Sequence, residues 1–237
     1  MNTNWPYLAP KSFIMPTISQ TTLQFLAELK ENNNKEWFTA NKPRYETAKK
    51  EFEQFVDGLI TRIASFDPSV AHFTAKDCVF RIYRDVRFSA DKSPYKSHLG
   101  AHVSAAAKRS EIHTRAGYYI HIEPGASMLA GGAYVPESQW LKAIRQEISY
   151  NLEEFKGILN AQDFKQFFGE IEGEKLKKVP ADYSPDHPGI ELLKHKSFLA
   201  THKPTDKQLV SHDFLDHCGR VFKALSPLDQ FLNRSMD

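Results

Sequence analysis

Phe52, Phe55, Val56, Leu59, Ile63 and Phe66 recur at steps of three and four, which places them on one face of a long helix. Asp67-Pro68 stops that helix, because a proline disfavours the α conformation in the residue before it. The period then changes. Val79 to Arg84, Leu99 to Val103 and Tyr118 to Ile122 alternate as strands do. Met128 to Tyr134 reads as a fourth strand, with Gly131-Gly132 allowing a bulge or a close approach. Trp140, Leu141, Ile144, Ile148, Leu152, Phe155 and Leu159 return to helical spacing. Helices, then clustered strands, then helices are the pattern of an α+β protein rather than of βα alternation. The expected fold is a mixed or antiparallel sheet of about 4–6 strands packed with long helices from the N-terminal, middle and C-terminal segments.

The remaining segments fit around this frame. Ser19 is a candidate N-cap for a short helix marked by Leu23, Phe25, Leu26 and Leu29, and the run Asn32-Asn33-Asn34 ends it. Trp37 and Phe38 open the next element, and Pro43 suits a first helical turn. The stretch 170–190, with Pro180, Pro185 and Pro188, reads as loop, and Ser197 to His202 as a last strand. Phe214, Leu215, Cys218, Val221, Phe222 and Leu225 form a final helix, expected to break at Ser226-Pro227 and to resume towards Phe231. Residues 1–18 read as an extended arm that Trp5 and Phe13 would pin to the body, and 19–237 as a single domain. The sequence carries no internal repeat and no low-complexity tract.

Apolar residues make up 41% of the 237 and charged ones 25%, a balance that builds a packed core rather than a disordered chain. The formal charge is only +2, which argues against a dedicated nucleic-acid binder. Cys78 and Cys218 have no CxxC spacing, so they are read as two buried thiols in a reducing compartment. Pro6, Pro10 and Pro16 interrupt the start of the chain, against a signal peptide, and no uncharged run approaches the roughly 20 residues of a spanning helix. A cytoplasmic protein without a membrane partner is expected.

The most unusual local feature runs from Phe80 to Lys96. It holds five basic and two acidic residues, and Arg81, Arg84 and Arg87 are spaced by three among aromatic residues. On a strand Arg81 and Tyr83 share a face, with Phe80 and Ile82 on the other, towards the core. Several guanidinium forks that converge favour a phosphate or carboxylate, to which Lys92 and Lys96 would add charge. Asp85 and Asp91 would orient the arginines or compete for them. The same letters also describe arginines held in structural salt bridges beside a solvated turn.

The run RIYRDVRFSADKSPYKSH resembles the signature of a bacterial and fungal family, domain-of-unknown-function family 2461. The segments NNNKEWFTANKPRYE, GYYIHIEPGASMLAGGAY and HPGIELLKHKSF are similar to that family too, so the resemblance covers most of the chain after the arm. It implies that Arg81, Arg84, Asp85, Arg87, Ser89, Lys92, Pro94, Tyr95 and Lys96 belong to a shared signature, as do Tyr119, Gly132, Pro136, Arg145, His187 and Pro188. It implies no reaction. A shared polar cluster of this kind favours a ligand over packing alone.

Other polar groups in the sequence also admit both a functional and a structural role. His98 and His102 lie four apart and share a face, as do His121 and Glu123; were these strands to pair, four ligands of the kind zinc or iron takes could meet. Without an HExxH pattern they read first as polar residues on a solvent-facing sheet surface, so no metal is expected. His187, beside Asp186 in a proline-rich loop, is an acid–base candidate or a turn residue. There is no Walker loop, GxGxxG or GxSxG, and hence no expected cofactor.

Three readings remain open. In the first, an anionic small molecule is bound by Arg81, Arg84, Arg87, Lys92 and Lys96, walled by Tyr95 or Tyr119 and approached by Arg145, with Asp85 or His187 for acid–base work if the protein is an enzyme. In the second, tyrosines near the arginines stack the bases of a single-stranded nucleic acid. In the third, the arginines only hold the fold. The oligomeric state stays open.

Overall fold

A computed structural model describes residues 16–106 and 112–236. The expected arm falls mostly on residues outside this range, as do Trp5 and Phe13. The first helix, α1 (Gln20–Glu31), begins at Ser19, whose side chain accepts from the Thr22 N–H. The three asparagines that follow divide the labour: the Asn32 N–H closes α1 onto Glu28 O, and the Asn34 side chain caps α2 (Lys35–Ala40) by accepting from Trp37 N–H. Then comes α3 (Lys42–Ala64), with Pro43 in its first turn and the expected apolar stripe fully buried from Phe52 to Ile63. A short helix α4 (Ala75–Cys78) ends on Cys78. Both cysteines are buried and neither forms a disulfide.

The sheet is antiparallel, in the order β1 (Leu99–Val103), β2 (Gly117–Ile122), β3 (Met128–Ala133), β4 (Phe198–His202). Four strands and long helices are the α+β fold expected. Between β3 and β4 run α5 (Ser138–Tyr150), α6 (Leu152–Asn160), α7 (Gln162–Phe168) and the short α8 (Ile190–Leu193); α9 (Asp206–Leu209) and α10 (Phe214–Arg234) follow. The single helical stripe over 140–159 breaks at Asn151, which serves as C-cap of α5 and N-cap of α6. No helix among the described residues is long and apolar enough to cross a membrane.

The strand periodicity divides the sheet into two unlike faces. Leu99, Ala101, Val103, Tyr118, Ile120, Ile122, Leu129, Phe198 and Ala200 are buried against the helices, chiefly α3 and α10. Burying one such large side chain contributes about 1.5–3 kcal/mol, so this layer holds the sheet in place. Tyr118 sits edge-on to Phe222 and Phe66, and its hydroxyl donates to Asp67. Gly131 lets α10 approach: a Cβ there would lie 2.3 Å from Leu225 Cδ2. The other face carries Gly100, His102, Tyr119, His121, Met128, Ala130 and Thr201, brought side by side by the pairings His102–Tyr119, Gly100–His121, Tyr119–Ala130 and Ala130–Thr201.

Two expectations need correction. Val79 to Arg84 is not a regular strand. Val79 pairs with Ala101 and Tyr83 with Tyr95, so the returning side carries two more residues than its partner and the ladder breaks between them. Hydrogen bonds from Phe80 N to Gly100 O, Lys96 N to Ile82 O and Arg84 N to Pro94 O hold this irregular hairpin on the sheet edge. The final helix, in turn, does not break at Ser226-Pro227. Pro227 lies inside α10 and cannot donate to Lys223 O, but the Ser226 hydroxyl donates to that carbonyl at 3.0 Å.

Candidate functional site

The extra residues of the irregular hairpin fall between Lys96 and Leu99, and Lys96 and His98 both line a cavity of about 480 Å³ on the non-helical face of the sheet. Its floor is the strand surface, where Ala130 and Thr201 lie side by side, and its walls include Phe80, Tyr119 and Tyr134. His102 and His121 complete the polar lining. Lys96 lies over the Phe80 ring, 5.3 Å from its centroid, and Phe80 in turn meets Tyr119. Phe80 thus walls the cavity, whereas Ile82 alone of the pair Phe80/Ile82 is buried in the core.

A chain of polar contacts runs along the cavity edge. Tyr119 Oη lies 2.9 Å from His121 Nδ1, and His121 Nε2 lies 3.1 Å from Glu123 Oε2. The other oxygen of Glu123, Oε1, accepts from Lys30 Nζ of α1 and from Ser97 Oγ, each at 3.1 Å. The His98 ring stacks on His121 with centroids 4.0 Å apart. Ligand atoms of His98, His121 and Glu123 all lie within 4.8 Å of one another.

The titrations follow from this enclosure. Burial pushes His98 down to about 4, helped by its neighbours His121 and Lys96 against the opposing pull of Glu123, and burial alone takes His102 to about 4. Both rings are therefore neutral at pH 7. Burial lifts the Tyr119 hydroxyl to about 12, so it stays protonated. For Glu123 burial acts upwards, but the hydrogen bonds from His121, Lys30 and Ser97 outweigh it and hold the carboxyl below its ordinary value.

The structure separates the sequence candidates into two groups. Lys96 and Tyr119 line the cavity, with His98, His102 and His121; Glu123 joins His98 and His121 at its edge. The arginines do not converge there. Arg84 pairs with Asp91 and lies 3.3 Å from Ser89 Oγ, and Arg87 forks onto Asp85 through Nε and Nη2 at 3.0 and 2.6 Å. Hydrogen bonds from Arg87 take the Asp85 carboxyl to about 2, and Ser93 together with Arg84 does the same for Asp91. Arg81 is exposed, and Lys92 donates to Val86 O. These pairs lie within the segment and at the surface, beside a 94% exposed Phe88.

Three further candidates are tied into the fold by other contacts. Tyr95 is buried and stacks on Phe38, centroids 3.9 Å apart, while the Asn33 side chain bonds both its N–H and its carbonyl. Arg145 donates to Leu193 O and His195 O. His187 Nδ1 accepts from Gly189 N–H, which leaves Nε2 as the donor to Ser149 Oγ, 2.9 Å away. Lys30, Ser97 and Tyr134 are not among the site candidates that the sequence offers. Lys30 lies 93 positions from its partner on a helix whose apolar face points elsewhere, and no local pattern signals such a contact.

A family model described as conserved hypothetical protein, DUF2461, matches residues 21–231. The chain belongs to this family. The DUF2461 match spans every described element from α1 into α10, so hairpin, cavity and helical layer all lie within it. No curated protein and no solved structure matches the chain.

Proposed function

We propose that this DUF2461 protein binds a small anionic molecule, a phosphate or carboxylate, in the cavity on the non-helical face of the sheet. The observation that carries this reading is the convergence of Lys96, His98, His102, His121 and Tyr119 on one cavity of about 480 Å³ with aromatic walls. A concave, mostly apolar pocket with a few convergent polar groups is the form that small-molecule sites take. Lys96 supplies the charge inside, and the neutral imidazoles and the Tyr119 hydroxyl supply hydrogen bonds. Of the three arginines, Arg84 also acts on His98, as the smallest of several influences and while paired with Asp91.

The same cavity supports acid–base work. Tyr119 Oη, His121 and Glu123 form a relay whose hydroxyl end faces the bound molecule and whose carboxylate end is fixed by Lys30 and Ser97. Such a relay takes a proton from, or gives one to, a substrate held by Lys96.

The test is a thermal-shift titration of the full chain with phosphate, pyrophosphate and di- and tricarboxylates. At 100 times Kd a ligand stabilises by about 2.7 kcal/mol. For a chain of this size that is roughly 5–10 °C in Tm. The rise is expected to saturate, to vanish in Lys96→Ala and to survive in Arg87→Ala. No saturable rise with any of these anions, or a rise equal in Lys96→Ala and wild type, overturns the reading.

A further inference from the structure

We propose that His98, His121 and Glu123 hold one divalent transition-metal ion of the zinc or iron class at the edge of the cavity. The inference goes beyond the anion site and does not rest on it, since the ion's ligands lie on one wall and Lys96 supplies the anion's charge. Two imidazoles and a carboxylate are the ligand types such ions take, and three protein ligands leave a position open, as catalytic sites do.

Four features support the assignment. The three ligand atoms already lie within 4.8 Å of one another, on the end of the hairpin, β2 and the residue that follows β2. His121 Nε2 and Glu123 Oε2 are 3.1 Å apart, close to the roughly 3.3 Å between two ligands at 2.0–2.1 Å in a tetrahedral shell. Glu123 is held by its other oxygen, because Lys30 and Ser97 both occupy Oε1 and leave Oε2 turned towards the histidines. The far nitrogen of His121 meets Tyr119 Oη at 2.9 Å, the outer hydrogen bond that fixes the tautomer of a ligating histidine. In the ion-free chain Nε2 faces Glu123 Oε2 as its hydrogen-bond partner; the ion would take the place of that proton between them, with the imidazole proton then on Nδ1 and donated to Tyr119. His102 lines the same cavity but stands outside the three-residue group.

The open position would face the cavity, so the ion could meet a bound anion or water there. The lone carboxylate, already offset by Lys30, gives a donor set of low net charge. That favours imidazole-preferring ions over magnesium or calcium, which take oxygen ligands.

The experiment uses the full chain without a purification tag, stripped with EDTA and then dialysed against Zn²⁺, Co²⁺ or Mg²⁺. One Zn²⁺ or Co²⁺ per chain is expected by elemental analysis, and no stoichiometric Mg²⁺. His98→Ala and Glu123→Gln should lose the bound ion, and Tyr119→Phe should weaken it about 10–100-fold. Long-range ¹⁵N spectra of the wild type need no variant: zinc should shift the ring nitrogens of His98 and His121 and leave those of His187 in place. Absence of stoichiometric zinc and cobalt, retention in both His98→Ala and Glu123→Gln, or unshifted His98 and His121 rings overturns the proposal. Anion stabilisation that persists in EDTA while zinc fails to bind would sink the metal site and leave the anion reading standing.

Discussion

Asn33→Ala should loosen the segment that delivers Lys96 and His98 to the cavity. The Asn33 side chain spans from the end of α1 to the hairpin, where its Nδ2 donates to Tyr95 O at 2.9 Å and its Oδ1 accepts from Tyr95 N at 3.0 Å. Each such bond contributes a net of about 0.5–1.5 kcal/mol. Truncation removes both, and Tyr95 is buried, so its backbone groups cannot turn freely to water. The expected loss is about 1–3 kcal/mol in urea denaturation, with an unchanged m-value. Asn33→Asp should not restore the loss, because it keeps the acceptor for Tyr95 N but sets an oxygen against the Tyr95 carbonyl. The stack of Phe38 on Tyr95 remains in both variants, so the hairpin should open locally before the chain unfolds. Amide exchange at Tyr95 and Lys96 should therefore accelerate more than at Ile120 in β2. Wild-type stability together with unchanged exchange at Tyr95 would refute the view that this asparagine anchors the hairpin.

Two other perturbations probe what supports the cavity from below. Asp229 is buried in α10, and burial, aided by the negative charge of Asp67, pushes its carboxyl well above the ordinary value, with a Gly132 N–H too weak to offset it. The folded chain thus keeps a proton that the unfolded chain releases above about pH 4, so folding stability falls as pH rises from there towards the folded value, by up to about 1.4 kcal/mol per pH unit. Asp229→Asn removes this slope, and its Tm should gain on wild type between pH 4 and 7; parallel Tm profiles would contradict the assignment. Gly132 has φ +103° and a Cβ there would lie 2.0 Å from Phe198 O, so Gly132→Ala should cost about 1–3 kcal/mol in backbone strain and about 1–3 more in overpacking. Wild-type stability in urea would show that β3 and β4 can separate more easily than their spacing implies.

The fold was legible where burial imposes a period. The stripe from Phe52 to Ile63, and the alternation of Leu99, Ala101 and Val103, follow from one face having to be apolar, and both stand in the structure. Departures occur where a local rule meets a tertiary remedy. Pro227 reads as a helix break because its nitrogen cannot donate, and nothing in periodicity reveals that the Ser226 hydroxyl takes over that carbonyl. Val79 to Arg84 alternates like a strand because its residues are extended, but alternation in one strand says nothing about a mismatch in its partner.

The same limit governs the site. Charge clustering picked out Arg81 to Lys96, yet a cluster that holds both signs can satisfy itself, and Asp85 and Asp91 do so with Arg87 and Arg84 at the surface. What a run of letters cannot show is which of its charges remain facing the interior of the molecule. That depends on the bulge before Leu99, which turns Lys96 and His98 towards β2, and on Lys30 reaching across from α1 to fix Glu123. His98 with His102, and His121 with Glu123, were readable as shared-face pairs from spacing alone, but the meeting of His98 with His121 and Glu123 required the antiparallel register that sets β1 beside β2. The arginine signature and the histidine pairs thus describe two sides of one structural unit: the hairpin carries the arginines outward and, through its irregular return, carries the cavity's lysine and first histidine inward.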